Sequence, residues 1–359
     1  MFGLGSKKFL GVDIGSSGIK VVEVKFQNDK PYLSNYAWMQ FSGTRGVESA
    51  LSLPDEFVAA CLRRLIKESG FDSKRVNLSV PASGGLITLI EFPETIEKDL
   101  AQAIRFEAHK YIPTALEDVV FSWDIVGRNS VPNSSKKEHL AGNSLEKRGK
   151  LEVLLVAASK NRVAKFEKIV QDAGLELESI EIESFSLVRS LIGNDPGNFL
   201  IIDMGHRICN IVLVEGGIIK INRNIDAGGR DITRAIARNM NLDEGRAEQM
   251  KMGTTDFFSK EASMIFPTLD VIVGEANRVL KSFYGKESGA KLDGIILSGG
   301  SAKLGGVDRY FSQKLGFKAY PGNPFGRVAY DKELSGIIPK IKSNFSVAIG
   351  LAIRGENKK

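Results

Sequence analysis

The sequence predicts an α/β protein built from two related lobes, and three short segments lead to this prediction. Two of them are Asp-x-Gly hairpins, at residues 13–20 (DIGSSGIK) and 203–210 (DMGHRICN). The third, at residues 297–304 (LSGGSAKL), is a buried strand that runs into a glycine turn and then a helix. In both hairpins a glycine separates two apolar strands, so we expect an internal repeat with one hairpin in each lobe.

Length and composition fit this class of fold. The chain has 359 residues, which at about 150 residues per domain suggests two domains or slightly more. Hydrophobic residues make up 43% and charged residues 26% of the chain, as in soluble globular proteins. No uncharged apolar run reaches about 18 residues, so we expect no transmembrane helix and no signal peptide. Two cysteines, Cys61 and Cys209, fit a reducing cytoplasm.

The net charge of +6 permits either an acidic partner or a purely solubilising role. The basic residues are scattered, and none of their runs is interleaved with aromatic residues, so a nucleic-acid surface is not expected. The densest basic group falls in residues 128–150, which we predict to be a long loop because the segment has little apolar content. That group consists of Lys136, Lys137, Lys147, Arg148 and Lys150.

Apolar periodicity gives the remaining elements in order. Strands are predicted at residues 9–14, 19–26, 32–39, 76–80, 119–126, 151–158, 199–203, 208–214, 218–223 and 294–297. Helices are predicted from Pro54 to Gly70 and at residues 96–111, 160–173, 183–192, 231–240, 242–252, about 258–284 and 345–354.

The first hairpin has the chemistry of a phosphate site. Gly15, Ser16 and Ser17 form a turn of small residues, in which backbone amides and hydroxyls can approach a phosphate closely. Asp13 at the strand end can hold a Mg²⁺ ion, through water because Mg²⁺ keeps much of its hydration. Lys20 can add a positive charge beside the phosphates. Taken alone, the segment is equally compatible with an ordinary glycine-rich hairpin.

The other two segments strengthen this interpretation. Asp203 and Gly205 repeat the hairpin on the opposite side, with Asp203 as a second Mg²⁺ carboxylate, and Arg207 either contacts a phosphate or points into solvent. A turn made of Gly299, Gly300 and Ser301 lets a ligand lie against the backbone. In this order and spacing, the three segments resemble the phosphate and adenosine loops of the actin, sugar-kinase and chaperone superfamily. ATP and Mg²⁺ are therefore the expected ligands.

Other nucleotide and metal motifs do not fit. The early glycine–lysine string at residues 3–8 (GLGSKK) lacks the spacing of a P-loop and precedes a strand. No G-x-G-x-x-G opens a helix with a downstream acidic residue, which argues against a dinucleotide site. No cluster of cysteine and histidine has zinc-ligand spacing.

Four further segments carry a more specific resemblance. They are residues 228–233 (GGRDIT), 247–251 (AEQMK), 108–113 (AHKYIP) and 348–352 (AIGLA). With them the chain resembles, over nearly its whole length, the PilM family of actin-like proteins in type IV pilus assembly, which is related to FtsA. The resemblance implies that Gly228 and Gly229 open the second nucleotide-side subdomain. It also implies that Glu248 and Lys251 lie near the adenosine.

The resemblance implies an actin-like, ribonuclease-H-like fold of two lobes with an FtsA-type 1C subdomain. The implied division is subdomain 1A at 1–91 and 178–200, 1C at 92–177, 2A at 201–226 and 287–344, 2B at 227–286, and a C-terminal helix at 345–359 that returns to 1A.

Departures from the superfamily pattern lead us to expect slow ATP hydrolysis at most. Residues 206–208 (HRI) replace small or hydroxyl residues, and Cys209 stands where threonine is common. Asn210 occupies the place of a catalytic-site histidine in actin. Where actin has a water-orienting glutamine, this chain offers Glu183, the one candidate catalytic base. As a carboxylate it would also repel a terminal phosphate.

The resemblance also implies a partner and a place. The partner is the cytoplasmic N-terminal peptide of a PilN-like inner-membrane protein, bound near subdomain 1C, so that membrane contact is indirect and the chain is peripheral to the inner membrane. Contacts with other platform proteins and with further copies of the chain stay open. The alternatives are an FtsA-like filament protein, which would need a C-terminal tether that residues 354–359 leave no room for, and a small-molecule kinase.

Overall fold

The computed structural model describes residues 7–41, 52–129, 149–259, 264–285 and 291–355. The described residues form two compact units. The main unit is drawn from Met1–Ser83 and Val163–Lys359, and the inserted unit is Gly84–Arg162. The chain therefore leaves the main unit once and returns to it once.

The first sheet of the main unit is built on the predicted hairpin at residues 13–20. Three antiparallel strands form a meander, because the turns between them are short, and two parallel strands extend the sheet on the other side. The strand order is β3-β2-β1-β4-β8. These strands are β1 (Lys8–Gly15), β2 (Gly18–Gln27), β3 (Lys30–Gln40), β4 (Arg75–Val80) and β8 (Glu176–Ile182).

The second sheet repeats this arrangement. Its order is β11-β10-β9-β12-β13, again an antiparallel meander of three strands followed by two parallel strands. The matching topology confirms the two related lobes and the α/β class expected from the repeated hairpins. The strands are β9 (Asn198–Met204), β10 (Cys209–Glu215), β11 (Ile218–Ile225), β12 (Gly294–Ser298) and β13 (Ala319–Pro321).

Amphipathic helices cover the sheets. Apolar residues three or four positions apart, such as Val58, Leu62 and Leu65, face the first sheet together with Phe166. Helices of the second lobe bury Ile236 and other apolar side chains in the same way. The helices are α1 (Asp55–Glu68), α2 (Leu100–Ala108), α3 (Lys160–Asp172), α4 (Glu183–Leu191), α5 (Gly229–Met240), α6 (Glu244–Lys251), α7 (Pro267–Tyr284), α8 (Val307–Leu315), α9 (Ile338–Ile341) and α10 (Ser346–Ala352).

Helix α10 lies unusually close to its neighbours. A Cβ at Gly350 would be 2.0 Å from the backbone oxygen of Ser186 in α4. On the other side, a Cβ at Gly11 of β1 would be 2.0 Å from the backbone oxygen of Ala348. The backbone of α10 therefore contacts the backbone of α4 on one side and that of β1 on the other. Helix α10 connects these two elements.

The inserted unit is a three-stranded antiparallel sheet with α2 on one face. Its order is β5-β7-β6, with β5 (Gly85–Pro93), β6 (Val119–Asn129) and β7 (Lys150–Ser159). Ile104 of α2 is fully buried in the core of this unit with Leu155 of β7. The predicted 1C boundaries, 92–177, stay a prediction.

Several element predictions need correction. Strands β5, β8 and β13 were not predicted. The helix predicted at 96–111 is a 3-10 helix over Glu94–Asp99 followed by α2, which ends at Ala108. The helix predicted from about 258 begins only at Pro267, because proline is well suited to the first helical turn. Residues 260–263 of that prediction lie outside the described residues.

The two ends of the segment 128–150, predicted to be a loop, are strands instead. Strand β6 extends to Asn129 and β7 begins at Lys150, so the ends of this segment are paired backbone. Residues 130–148, with most of the basic group, lie outside the described residues. In the part of the chain that is described, none of the helices combines the length and apolar character needed to cross a bilayer.

Candidate nucleotide site

The first hairpin places Asp13 and Lys20 directly opposite each other in the β1–β2 register. Lys20 Nζ donates a hydrogen bond of 2.8 Å to Asp13 Oδ2, and Asp13 is buried. Burial works against the ammonium, but the charges of Asp13, Asp203 and Glu183 outweigh it and raise the pKa of Lys20. The charge of Asp203 in the second lobe therefore acts on Lys20, which is paired with Asp13 in the first lobe.

The turn between these strands is formed by Ser16 and Ser17, with Gly15 and Gly18 paired at its base. All three residues of the predicted phosphate turn lie together: Gly15, Ser16 and Ser17 are half-buried, so their backbone and hydroxyl groups keep access to solvent. The Ser17 backbone oxygen accepts a bond from the Phe41 amide, which anchors the turn to the end of β3.

The second hairpin closes tightly at Gly205. The Gly205 amide donates to the Ile208 backbone oxygen at 3.1 Å, and a Cβ at Gly205 would lie 2.7 Å from that same oxygen. Burial raises the pKa of Asp203 to about 6, although the Ser298 hydroxyl and Lys20 favour the charged form. Arg207 is half-exposed and donates to Asp226 at 3.2 Å, which takes its guanidinium to the surface.

The start of α5 packs against this second hairpin. The Gly229 amide donates to the Gly205 backbone oxygen at 2.9 Å, and the Arg230 amide donates to the His206 backbone oxygen at 2.8 Å. A Cβ at Gly228 would lie 2.6 Å from the His206 oxygen, and one at Gly229 would lie 2.5 Å from Ser301 Oγ. The predicted residues Gly205, Gly228, Gly229 and Ser301 therefore meet in one place.

The third turn follows β12. Gly299 has a φ of +84°, and a Cβ there would lie 2.3 Å from the Met204 backbone oxygen, so glycine is required on both counts. Gly300 begins a short 3-10 helix, and Ser301 within it is buried. The turn therefore packs directly on the end of β9, next to the second hairpin.

Lys251 and Glu248 differ in how far their side chains are exposed to solvent. Lys251 is 3% exposed, and its ammonium donates to the Gly229 backbone oxygen, Thr233 Oγ1 and Glu248 Oε2 at 3.1, 2.9 and 2.6 Å. Burial lowers the pKa of Lys251 although Glu248 opposes the shift. All three donors of the Lys251 ammonium are used within the protein, so Lys251 holds its neighbours in place. Glu248, by contrast, keeps 41% of its side chain exposed.

Glu183 begins α4, and its Oε1 accepts a hydrogen bond of 2.9 Å from the Ala82 amide. Burial, followed by the negative charges of Asp203 and Asp13, raises the pKa of Glu183 to about 8. The carboxyl is thus mostly protonated at neutral pH. In this protonated form the carboxyl would not repel a terminal phosphate, and the role of Glu183 stays a prediction.

Two residues of the site were not singled out from the sequence. Burial and the charge of Lys20 lower the pKa of Lys303, so this lysine adds a second cation near Lys20. Asn344 lies beside Gly300, and its Oδ1 is buried without a hydrogen-bond partner. A lysine directly after the glycine turn was a visible signal for Lys303, whereas the sequence gives no signal for Asn344, 44 positions after Gly300.

A family model described as "Type IV pilus assembly protein PilM" matches residues 11–356. The chain belongs to the PilM family. A solved PilM–PilN type IV pilus biogenesis complex is 26% identical to this chain, with a TM-score of 0.76 over 96% of this chain and 98% of that one. The family assignment confirms the resemblance drawn from the sequence and makes this chain a type IV pilus assembly protein.

More distant relatives agree on the fold. FtsA of Streptococcus pneumoniae is 21% identical over 97% of this chain and 84% of its own length. FtsA of Helicobacter pylori is 26% identical over 57% of this chain, which spans about half, 47%, of that relative. The EutJ structure from Carboxydothermus hydrogenoformans, 16% identical, has a TM-score of 0.55 over 98% of this chain and 91% of that one. The fold of this chain is therefore the two-lobed actin-like fold.

Proposed function

We propose that this PilM-family protein binds Mg·ATP in the main unit and serves as a cytoplasmic scaffold at the inner membrane. The observation that carries the proposal is the meeting of Gly205, Gly229 and Ser301, where a Cβ at Gly205 would collide with the Ile208 backbone oxygen and one at Gly229 with the Ser301 hydroxyl. Such bare backbone is what a phosphate or a nucleoside needs for close approach. MreB5 of Spiroplasma citri, which shares the fold at 12% identity and a TM-score of 0.51 over 96% of this chain and 94% of that one, has been solved bound to ADP.

The residues present fit the nucleotide in distinct roles. In this proposal Asp13 and Asp203 hold the water shell of Mg²⁺, which supplies charge neutralisation at the phosphates. Water-mediated binding suits the site, because Mg²⁺ usually keeps several of its waters and is held by only one or two carboxylates. Lys20 places its charge beside the phosphates, and the turn at Gly15, Ser16 and Ser17 offers amides and hydroxyls.

The second lobe would hold the nucleoside side of the ligand. Gly228 and Gly229 bring the N-terminus of α5 close, and Gly299, Gly300 and Ser301 provide the opposite wall. Glu248 is exposed enough to accept a ribose hydroxyl, and Lys251 keeps Glu248 and the Gly229 carbonyl in place. Arg207, paired with Asp226 at the surface, would reach a phosphate only by leaving that partner. Glu183, protonated at neutral pH, would donate a hydrogen bond near the terminal phosphate.

Replacing Asp13 by alanine is expected to weaken Mg·ATP binding at least tenfold, a change of about 1.4 kcal/mol. The substitution removes one carboxylate from the Mg²⁺ shell and leaves Lys20 without its partner. Isothermal titration calorimetry with ATP, with and without Mg²⁺, measures the effect. Asp118→Ala, at an exposed position of the inserted unit, is the control and should bind as the parent does. An unchanged affinity in Asp13→Ala would remove the site as proposed.

We further infer that the partner is the cytoplasmic N-terminal peptide of a PilN-like bitopic protein, which would hold the chain at the inner membrane. The solved PilM–PilN complex supports a partner of this class. The inserted unit offers a suitable surface, because β5 and β6 are its outer strands. Val120 and Trp123 on β6 are 50% and 38% exposed, and Phe106 on α2 is 75% exposed. An extended peptide can pair with such a strand edge and place side chains against apolar neighbours.

Val120→Lys is expected to weaken binding of a labelled PilN-like N-terminal peptide at least tenfold, from an affinity that we place near micromolar. A lysine there replaces apolar contact area on β6. The matched control is Val271→Lys in α7, since Val271 is 54% exposed and lies in the main unit. Fluorescence anisotropy gives both affinities, and photo-crosslinkers placed one at a time at Trp123 and at Val271 give the location. Equal losses in both variants, or crosslinks only from the main unit, would rule out this surface.

A further inference from the structure

The site contains a buried hydrogen-bond acceptor that no described residue satisfies. Among the described residues, the buried side-chain atoms without a partner are Asn210 Oδ1, Arg230 Nε and Asn344 Oδ1. Buried polar groups nearly always find a partner, so each exception calls for an explanation. Asn344 is the one that lies against the Gly299–Ser301 turn.

Asn344 is fixed in place by its surroundings. It ends the 3-10 helix Lys342–Asn344, directly before α10. The preceding residue, Ser343, is buried, and its backbone oxygen accepts a bond of 3.0 Å from the Gly299 amide. The following residue, Phe345, is fully buried among Tyr36, Trp38 and Phe325. Asn344 therefore has buried anchors on both sides.

The amide faces the glycine turn. Asn344 Oδ1 lies 3.8 Å from the position that a Cβ at Gly300 would take. Because Gly300 has no side chain, no side-chain atom of Gly300 lies between the turn and the Asn344 amide. The same turn is the wall that we assign to the nucleoside, since Ser301 Oγ lies against Gly229.

An unsatisfied carbonyl oxygen distinguishes purine bases by the group at C6. Adenine carries an amino group there, which donates to a carbonyl. Guanine carries a carbonyl oxygen there, which would face the Asn344 carbonyl without a shared proton. When the wrong ligand binds, the buried oxygen stays without a hydrogen bond, because water does not replace the missing donor. Such a site therefore discriminates strongly against that ligand.

We propose that Asn344 is a specificity-determining residue, whose Oδ1 accepts a hydrogen bond from the 6-amino group of adenine. This inference rests on the proposed binding of ATP in the main unit. It adds base recognition by a side chain to a site whose other nucleoside contacts come from the glycine turn and from Glu248.

The test compares ATP with purine riboside 5′-triphosphate, which differs only by lacking the 6-amino group. Calorimetry with Mg²⁺ should show the unmodified protein binding ATP about tenfold more tightly than this analogue. In Asn344→Leu, which keeps the branch at Cγ without a polar atom, the two affinities should agree within about twofold, with the analogue bound as before. Asn344→Asp keeps an acceptor oxygen and should keep the preference for ATP. Asn194→Leu, at an exposed position, is the control.

The outcomes separate the two proposals. If the unmodified protein binds neither nucleotide, ATP binding itself is wrong and this inference falls with it. If it binds both nucleotides equally, or if Asn344→Leu keeps the full preference, ATP binding stands and the role of Asn344 is wrong. The first comparison needs no variant, so it can overturn the inference even if Asn344→Leu does not fold, and Asn344→Asp then tests the assignment to Asn344. Tighter binding of GTP than of ATP would show that Asn344 presents its Nδ2 instead, and would also overturn the inference.

Discussion

Gly350→Ala is expected to destabilise the protein by about 3 kcal/mol, at the upper end of the usual cost of overpacking a core. The added Cβ would lie 2.0 Å from the Ser186 backbone oxygen. A backbone atom cannot rotate away as a side chain can, so α10 or α4 must move. Helix α10 also packs on β1 through Gly11, and a shift therefore spreads to the first sheet. Urea denaturation followed by circular dichroism measures the loss.

The matched control is Gly274→Ala. Gly274 lies inside α7 with no other atom within 4 Å of the new Cβ. The chemical change is the same, and alanine is favoured over glycine inside a helix by about 1 kcal/mol. Gly274→Ala should therefore stabilise the protein slightly. If both variants shift the unfolding midpoint in the same direction, contact between α10 and α4 does not have the importance that we give it.

The two hairpins could be predicted because their signals are local. In residues 13–20 and 203–210, small turn residues lie between apolar strands, and the pairing partners are adjacent in sequence. The repeat then predicted two lobes, and the third glycine turn predicted their chemistry. Local turn chemistry and apolar alternation are sufficient for features of this kind.

Strands β5 and β8 show where such reasoning fails. Strand β5 pairs with β7, which follows it only after α2 and β6, so no hairpin turn marks the pairing. Strand β8 pairs in parallel with β4, and paired residues such as Arg75 and Glu176 are slightly more than 100 positions apart. Pairings between distant segments depend on how the whole chain folds, and periodicity in one short segment does not report them.

The site was predictable in part for the same reason. The glycines and Asp13, Lys20 and Asp203 belong to local motifs, and the structure brings them together. The sequence could not show that Lys251 is buried with all its donors used, or that Arg207 pairs with Asp226. Nor could it show the protonation of Glu183, since its pKa depends first on burial and then on the charges of Asp203 and Asp13, which are distant along the chain.

Glu183→Gln is expected to stabilise the nucleotide-free, metal-free protein at pH 9 and to change it little at pH 5. In the unfolded chain this carboxyl has an ordinary pKa near 4.5, whereas in the folded protein its pKa is about 8. Between these values the folded state holds a proton that the unfolded state has lost. The stability contributed by Glu183 is therefore present at low pH and declines as the pH rises from about 4.5 to about 8.

Glutamine carries no charge at any pH and can still accept the bond from the Ala82 amide through its Oε1. The gain from Glu183→Gln should therefore grow with pH and reach about 2 kcal/mol at pH 9, less than the full pKa shift implies because Glu183 is only half-buried. Urea unfolding with EDTA at pH 5, 7 and 9 measures it, with Glu176→Gln at an exposed position of β8 as the control. A gain of equal size at pH 5 and pH 9 would mean that Glu183 is not the protonated carboxyl that the structure indicates, because a neutral side chain and a charged one cannot respond to glutamine alike.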